Sequence, residues 1–294
     1  MKKKLLLIVN PTAGREHIKN SLLQVVDIFI KGGYEVTLHT TQARMDACYT
    51  VRAKAGQYNL IVCSGGDGTL NEVTEGLMTS DMRPLLGYLP AGTTNDFANS
   101  IGIKKDPLEA ARAIVDGNPF ACDVGSFNAS YFTYIAAFGL FTDVSYLTPQ
   151  ENKHLLGHLA YVLEGIKSIT SIIPYHLKVT YDGETLEGDF IYGMVTNSKS
   201  IGGFKNLTAT NIEMDDGLFE VALVKMPGNF LELQSIINCL LHQDPDPNYI
   251  SSFRTSSITF SSTCEIPWTL DGEFGGNVTQ AEIKNHKKAI TYVV

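Results

Sequence analysis

The sequence predicts an α/β domain built on a parallel sheet, followed by a second domain rich in antiparallel strands. Three observations carry that expectation. Apolar runs of strand length alternate with stretches of helical spacing through about residue 120. The strand-like runs end in loops of glycine, asparagine and small hydroxyls. Beyond residue 121 the alternation gives way to strands joined by hairpin-type turns, among them Asp182-Gly183 and Asp271-Gly272. Strand–helix alternation makes a doubly wound sheet with right-handed crossovers, and such sheets bind ligands at the carboxyl ends of their strands. Asp-Gly between alternating runs marks a tight antiparallel hairpin.

In chain order, residues 4–9 form the first strand and end in Asn10-Pro11-Thr12-Ala13-Gly14. A helix follows on Ile18, Leu22, Val25, Val26, Phe29 and Ile30, with Gly32-Gly33 as its stop. Residues 34–41 alternate as a strand does, and a weaker helix covers about 43–55. After the strand at 60–64 comes a helix from about Thr69, carried by Leu70, Val73 and Leu77. The next strand, 84–89, runs into Pro90-Ala91-Gly92-Thr93-Thr94-Asn95-Asp96-Phe97. Asp106-Pro107-Leu108-Glu109 begins a helix with an N-cap, a proline in the first turn and a glutamate three residues on. Strands are expected at 122–127, 131–140, 177–181, 185–196, 218–225, 254–261, 267–271 and 289–294, with helices near 153–171 and 228–242. The change of pattern places a boundary near residue 124, giving domains 1–124 and 125–294.

The densest chemistry lies in Ser64-Gly65-Gly66-Asp67-Gly68-Thr69. Glycines between a strand and a helix let a phosphate approach backbone N–H groups, and glycine tolerates positive φ. The loop lacks the Lys-Ser/Thr of a P-loop, and Asn71 stands where the dinucleotide fingerprint requires glycine. Asp67 would repel a phosphate unless a cation lay between them.

Bulk properties exclude several classes. The chain has 294 residues, 44% of them hydrophobic, enough for two cores. Five cysteines, odd in number and without a CxxC pair, disfavour a disulfide framework or a zinc site and suit a cytoplasmic protein. A net charge of −8 disfavours nucleic acid. No apolar run approaches the roughly 20 residues of a spanning helix. The first 60 residues nevertheless carry nine Lys or Arg against four Asp or Glu, a basic N-terminal stretch suited to an anionic partner.

Five elements occur in one order: Asn10-Pro11; Gly65-Gly66-Asp67-Gly68-Thr69-Leu70-Asn71-Glu72; Gly92-Thr93-Thr94-Asn95-Asp96-Phe97-Ala98; Asp216-Gly217; and Leu270-Asp271-Gly272-Glu273. Together they resemble the diacylglycerol kinase catalytic domain family, whose layout is closest here to the soluble bacterial lipid kinases. The GGDGT loop alone is shared with NAD kinases. The resemblance implies a Rossmann-like N-terminal domain and a C-terminal antiparallel β-sandwich.

It also implies roles. Nucleotide contacts fall on Asn10, Pro11, Thr12, Ala13, Gly14, Thr41, Gly65, Gly66, Asp67, Gly68, Thr69, Leu70, Asn71 and Thr93. Asp67 and Asp96 act through Mg²⁺, and Glu273 is the general base. A structural Mg²⁺ would be held by Asp216 with the backbone carbonyls of Glu213 and Leu218. Asp123 matches a family aspartate at the domain junction. Thr208-Ala209-Thr210 departs from a proline-containing stretch common in the family.

The implied activity is transfer of the γ-phosphoryl group of ATP to diacylglycerol. The partners are ATP and a lipid at a membrane surface reached peripherally, with a homodimer as a further expectation. The helix at 153–171 and the cations Arg15, Lys19 and Lys167 are the expected membrane-facing features. The same residues would serve another acceptor such as a sphingoid base. An NAD kinase and a non-catalytic lipid or nucleotide sensor are the remaining alternatives.

Overall fold

The computed structural model describes residues 2–14, 17–93, 95–140, 159–160, 163–164, 172–197, 213–242 and 244–294. The chain forms two compact units, Met1–Val124 together with Lys288–Val294, and Gly125–Lys287.

In the first unit β1 (Lys3–Val9), β2 (Tyr34–Thr40), β3 (Leu60–Gly65) and β4 (Leu85–Pro90) pair in parallel, in the order β2-β1-β3-β4. Helices α1 (His17–Lys31), α2 (Asp46–Lys54) and α3 (Asp67–Met78) lie between them in sequence. Leu5 to Ile8 of β1 and Ile61 to Cys63 of β3 have no exposed surface. Continuous apolar sequence is what a strand covered on both faces requires. Edge strand β2 instead mixes partly buried with exposed positions. After β4 come α4 (Asp96–Ile101) and α5 (Pro107–Asp116), the latter capped by Asp106, whose side chain accepts from the N–H groups of Leu108 and Glu109. Ala110, Ala111 and Ile114 of α5 share a core with Ile18, Val25 and Phe29 of α1.

The direction of winding reverses between β1 and β3. The crossover from β1 leads outward to β2, whereas the next one returns to the other side of β1. At such a switch point the strand-end loops diverge and leave a crevice. The loops after β1 and β3 are the asparagine–proline and glycine segments singled out from sequence.

The second unit is antiparallel. Its strands are β6 (Ser130–Phe132), β7 (Ile135–Gly139), β8 (Tyr175–Tyr181), β9 (Glu184–Thr196), β10 (Phe219–Lys225), β11 (Ile250–Thr255), β12 (Ser257–Leu270) and most of β13 (Glu273–Val293). β5 (Pro119–Phe127) ends in it and forms a hairpin with β6. A helix, α6 (Phe230–His242), connects β10 to β11. β7 and β8 each pair with both β9 and β12, so the sheet folds back on itself around Phe138, Phe190, Phe260 and Trp268. The two Asp-Gly turns have positive φ at both residues, 46° and 83° at Asp182-Gly183 and 50° and 84° at Asp271-Gly272. That twist suits a two-residue hairpin.

Three expectations need correction. The segment 131–140 is two strands, β6 and β7, because the backbone N–H groups of Thr133, Tyr134 and Ile135 bond to a carboxylate. The segments 267–271 and 289–294 belong to much longer strands, β12 and β13. The final residues, expected in the β-rich domain, belong to the first unit. There Tyr292 pairs with Leu86 of β4 and its ring lies 4.8 Å from that of Phe97. Asp123, buried to 1% exposure, accepts the Lys288 N–H at 2.7 Å and fixes the start of this tail. Most of the helix expected at 153–171, with Lys167, lies outside the described residues, as do Arg15 and Thr208 to Thr210; Leu159, Ala160 and Leu163 of that helix are buried.

Candidate active site

Three loops converge at the carboxyl ends of the parallel strands. After β1, the Asn10 side chain donates to Thr69 Oγ1 at 3.0 Å and its Oδ1 accepts from the N–H and hydroxyl of Thr12. Gly14, at φ 65°, packs so closely that a Cβ there would lie 1.9 Å from the carbonyl oxygen of Ala91. After β3, Gly66 meets Gly92 backbone to backbone, and a Cβ on Gly92 would lie 2.7 Å from Gly66 Cα. Gly65, against the Thr69 side chain, and Gly66 therefore serve close approach. None of Gly65, Gly66 and Gly68 is among the positive-φ residues, so the left-handed freedom of glycine is not used there.

After β4 the chain is latched by Asn95. Its Oδ1 accepts from Gly92 N–H at 2.9 Å and from the Tyr88 hydroxyl at 3.3 Å, while its amide donates to Gly92 O at 2.7 Å. Asn95 is left-handed, with φ 53°, and only 6% exposed. Asp96 is thus the first helical residue of α4, with Asn95 in the N-cap position. Its backbone N–H donates to Asp67 Oδ2 at 3.1 Å. Burial, reinforced by the Asp67 charge, pushes the Asp96 carboxyl up to about 6.

Asp67 opens α3, where the helix N-terminus favours a negative charge. Thr69 and Leu70 are buried, whereas Asn71 is partly exposed. Thr41 follows β2, its N–H bonded to Val9 O at 2.9 Å. Thr93 is exposed. Asn10, Gly14, Thr69, Asp67, Gly65, Gly66 and Asp96 thus belong to one connected cluster. Glu72, from the same glycine motif, faces elsewhere. Its carboxylate accepts from the N–H groups of Met45 and Ala47 and so holds the start of α2.

In the second unit Glu273 is exposed at the start of β13. The turn before it is fixed by Asp271, which is 4% exposed. One carboxylate oxygen accepts from the Thr133 N–H and hydroxyl at 2.6 and 2.8 Å, the other from the N–H groups of Tyr134 and Ile135 at 2.9 and 3.1 Å. The Tyr134 hydroxyl donates to Asp271 O at 3.2 Å.

Two comparisons decide the family. Residues 4–127 match the "Diacylglycerol kinase catalytic domain", and residues 138–290 match the "YegS C-terminal NAD kinase beta sandwich-like domain". A diacylglycerol kinase of Bacillus subtilis is 36% identical over 277 residues, covering 93% of this chain and 91% of the relative. The chain belongs to the diacylglycerol kinase family. Another relative in this family, the diacylglycerol kinase of Staphylococcus carnosus, is 32% identical over 99% of this chain and 96% of its own. A crystal structure of a diacylglycerol kinase from Bacillus anthracis superposes with a TM-score of 0.76 at 26% identity, covering 99% of this chain and 97% of that one.

The family's two expected metal positions test differently. Asp67 and Asp96 bring two hard carboxylates together, with Asp96 resisting ionisation partly because of Asp67. A divalent cation relieves that repulsion, and Mg²⁺ commonly takes one or two carboxylates together with substrate phosphates. These residues fit a metal. The second position does not. Asp216 Oδ1 accepts the Leu218 N–H at 2.9 Å, and Oδ2 is held by the Arg254 guanidinium. A guanidinium already supplies the positive charge there.

Sequence reasoning missed Tyr88, Asn95, Arg254 and the role of Asp271. Asn95 stood inside a quoted motif, and its left-handed backbone was the available signal, since asparagine tolerates αL. Tyr88 and Arg254 carried no such signal.

Proposed function

We propose that this protein is an ATP-dependent lipid kinase that phosphorylates the free hydroxyl of diacylglycerol to give phosphatidic acid. The observation that carries the reading is the loop cluster: two carboxylates, Asp67 and Asp96, beside glycine-lined backbone at the switch point of a parallel, Rossmann-like sheet. The names of the relatives agree with it.

The nucleotide phosphates would lie on the loops of Asn10 to Gly14 and Gly65 to Asn71, with Thr41 and Thr93 as further contacts. Glycine at 66 and 92 lets the two loops pack backbone to backbone, and the start of α3 beside them would offer N–H groups to phosphate oxygens. Asp67 and Asp96 would hold Mg²⁺, which supplies charge neutralisation of the phosphate oxygens during transfer. Glu273 takes the proton from the acceptor hydroxyl. The freed oxygen attacks the γ-phosphorus, the bond from that phosphorus to the bridging oxygen breaks, and ADP leaves. Exposure of Glu273 in its own unit suits a base that meets a lipid headgroup.

Access to the acceptor would be peripheral, as none of the described helices is long and apolar enough to cross a membrane. Lys19 is exposed on α1 and suits an anionic surface. A homodimer in the cytoplasm is the proposed state, which light scattering checks. Purified protein, labelled ATP and a panel of lipid vesicles test the reaction. Labelled phosphatidic acid from diacylglycerol is expected. Labelling of a sphingoid base in its place, or of NAD⁺ without lipid, would overturn the acceptor.

A further inference from the structure

We propose that the turn at Asp216 is closed by a cation of the chain itself, the guanidinium of Arg254, and needs no metal there. The antiparallel register of β10 with β11 sets Arg254 directly opposite Glu220. Its Nε donates to Glu220 Oε1 at 3.1 Å, and a terminal nitrogen donates to Asp216 Oδ2. The other Asp216 oxygen accepts the Leu218 N–H, two residues on, in an Asx-type turn. Gly217 at φ 88° lets the chain reverse there. One planar fork therefore ties the turn to two neighbouring strands, which a compact ammonium could not do from one position.

Burial argues in the same direction. Side-chain exposure is 2% for Glu220, 19% for Asp216 and 32% for Arg254. A divalent ion on Asp216 would have to share that carboxylate with the guanidinium and sit beside it, or displace Arg254 and leave the buried Glu220 without its cation. Either arrangement leaves a desolvated charge badly matched. The inference is independent of the lipid acceptor.

The test uses the full chain, freed of metal and without nucleotide. Mn²⁺ binding is followed by electron paramagnetic resonance for wild type and D216N, and melting is followed in EDTA for wild type and R254Q. Equal Mn²⁺ stoichiometry in wild type and D216N is expected, with R254Q melting about 5 °C lower in EDTA. One Mn²⁺ lost in D216N, or an unchanged melting temperature in R254Q, would overturn the proposal. Should R254Q fail to fold, R254K replaces it: a smaller drop supports the forked contact, and no drop refutes it.

Discussion

Asp96 and Asp271 are both acids at chain reversals, and the protein treats them in opposite ways. Asp271 is buried but accepts four hydrogen bonds, so its charge is matched by donors that fold the chain around it. Asp96 is less buried, lies near a second carboxylate, and is pushed up to about 6. Donors settle a carboxylate, whereas a like charge leaves it waiting for a cation. The first environment fixes the turn before Glu273, and the second sets two acids side by side, the pair proposed to hold the metal.

The comparison breaks most visibly in activity. D67N should lower turnover by about a thousandfold or more while far-UV circular dichroism is unchanged, since a lost metal-facing charge acts on the transition state. E273Q should cost on the order of a hundred- to ten-thousandfold in kcat, the scale of a general base. Turnover within a few-fold of wild type would remove Glu273 from the chemistry.

Next in size is the scaffold. Asp271→Ala leaves buried N–H groups without their acceptor and should cost about 3–5 kcal/mol of stability, read by denaturant unfolding. A loss under about 1 kcal/mol would show that Asp271 is not the anchor its four bonds describe.

The smallest effect is also the most discriminating. With its folded value raised above that of the unfolded chain, Asp96 binds its proton more tightly when folded. Its ionisation therefore weakens the fold as pH rises from about 4 through about 6. D96N should be roughly 1–2 kcal/mol more stable than wild type at pH 7.5, with the gain fading towards pH 4. Apparent Mg²⁺ affinity should fall on the acid side of about pH 6, where the metal must compete with the proton on Asp96. A destabilised D96N would place Asp96 with Asp271 as a scaffold acid.

Much of the cluster was readable because its parts are local. Glycine–aspartate–glycine after an apolar run, Asn-Pro after the first strand, and Asp-Gly turns each carry their geometry in neighbouring residues. The strand-to-helix alternation likewise fixes which ends of the strands carry loops. What depends on residues far apart in sequence was hidden. No local signal says that Gly66 must touch Gly92, that Asp271 will split residues 131–140 into two strands, or that residues 288–294 return to the first unit. Arg254 makes the point most sharply. The family resemblance implies a metal at the Asp216-Gly217 turn, but strand register brings a guanidinium from 38 residues later onto its carboxylate. The sequence by itself determined which acids stand at turns. Tertiary structure decided which of them are satisfied, because the partners of a buried charge are chosen by packing and register rather than by neighbours along the chain.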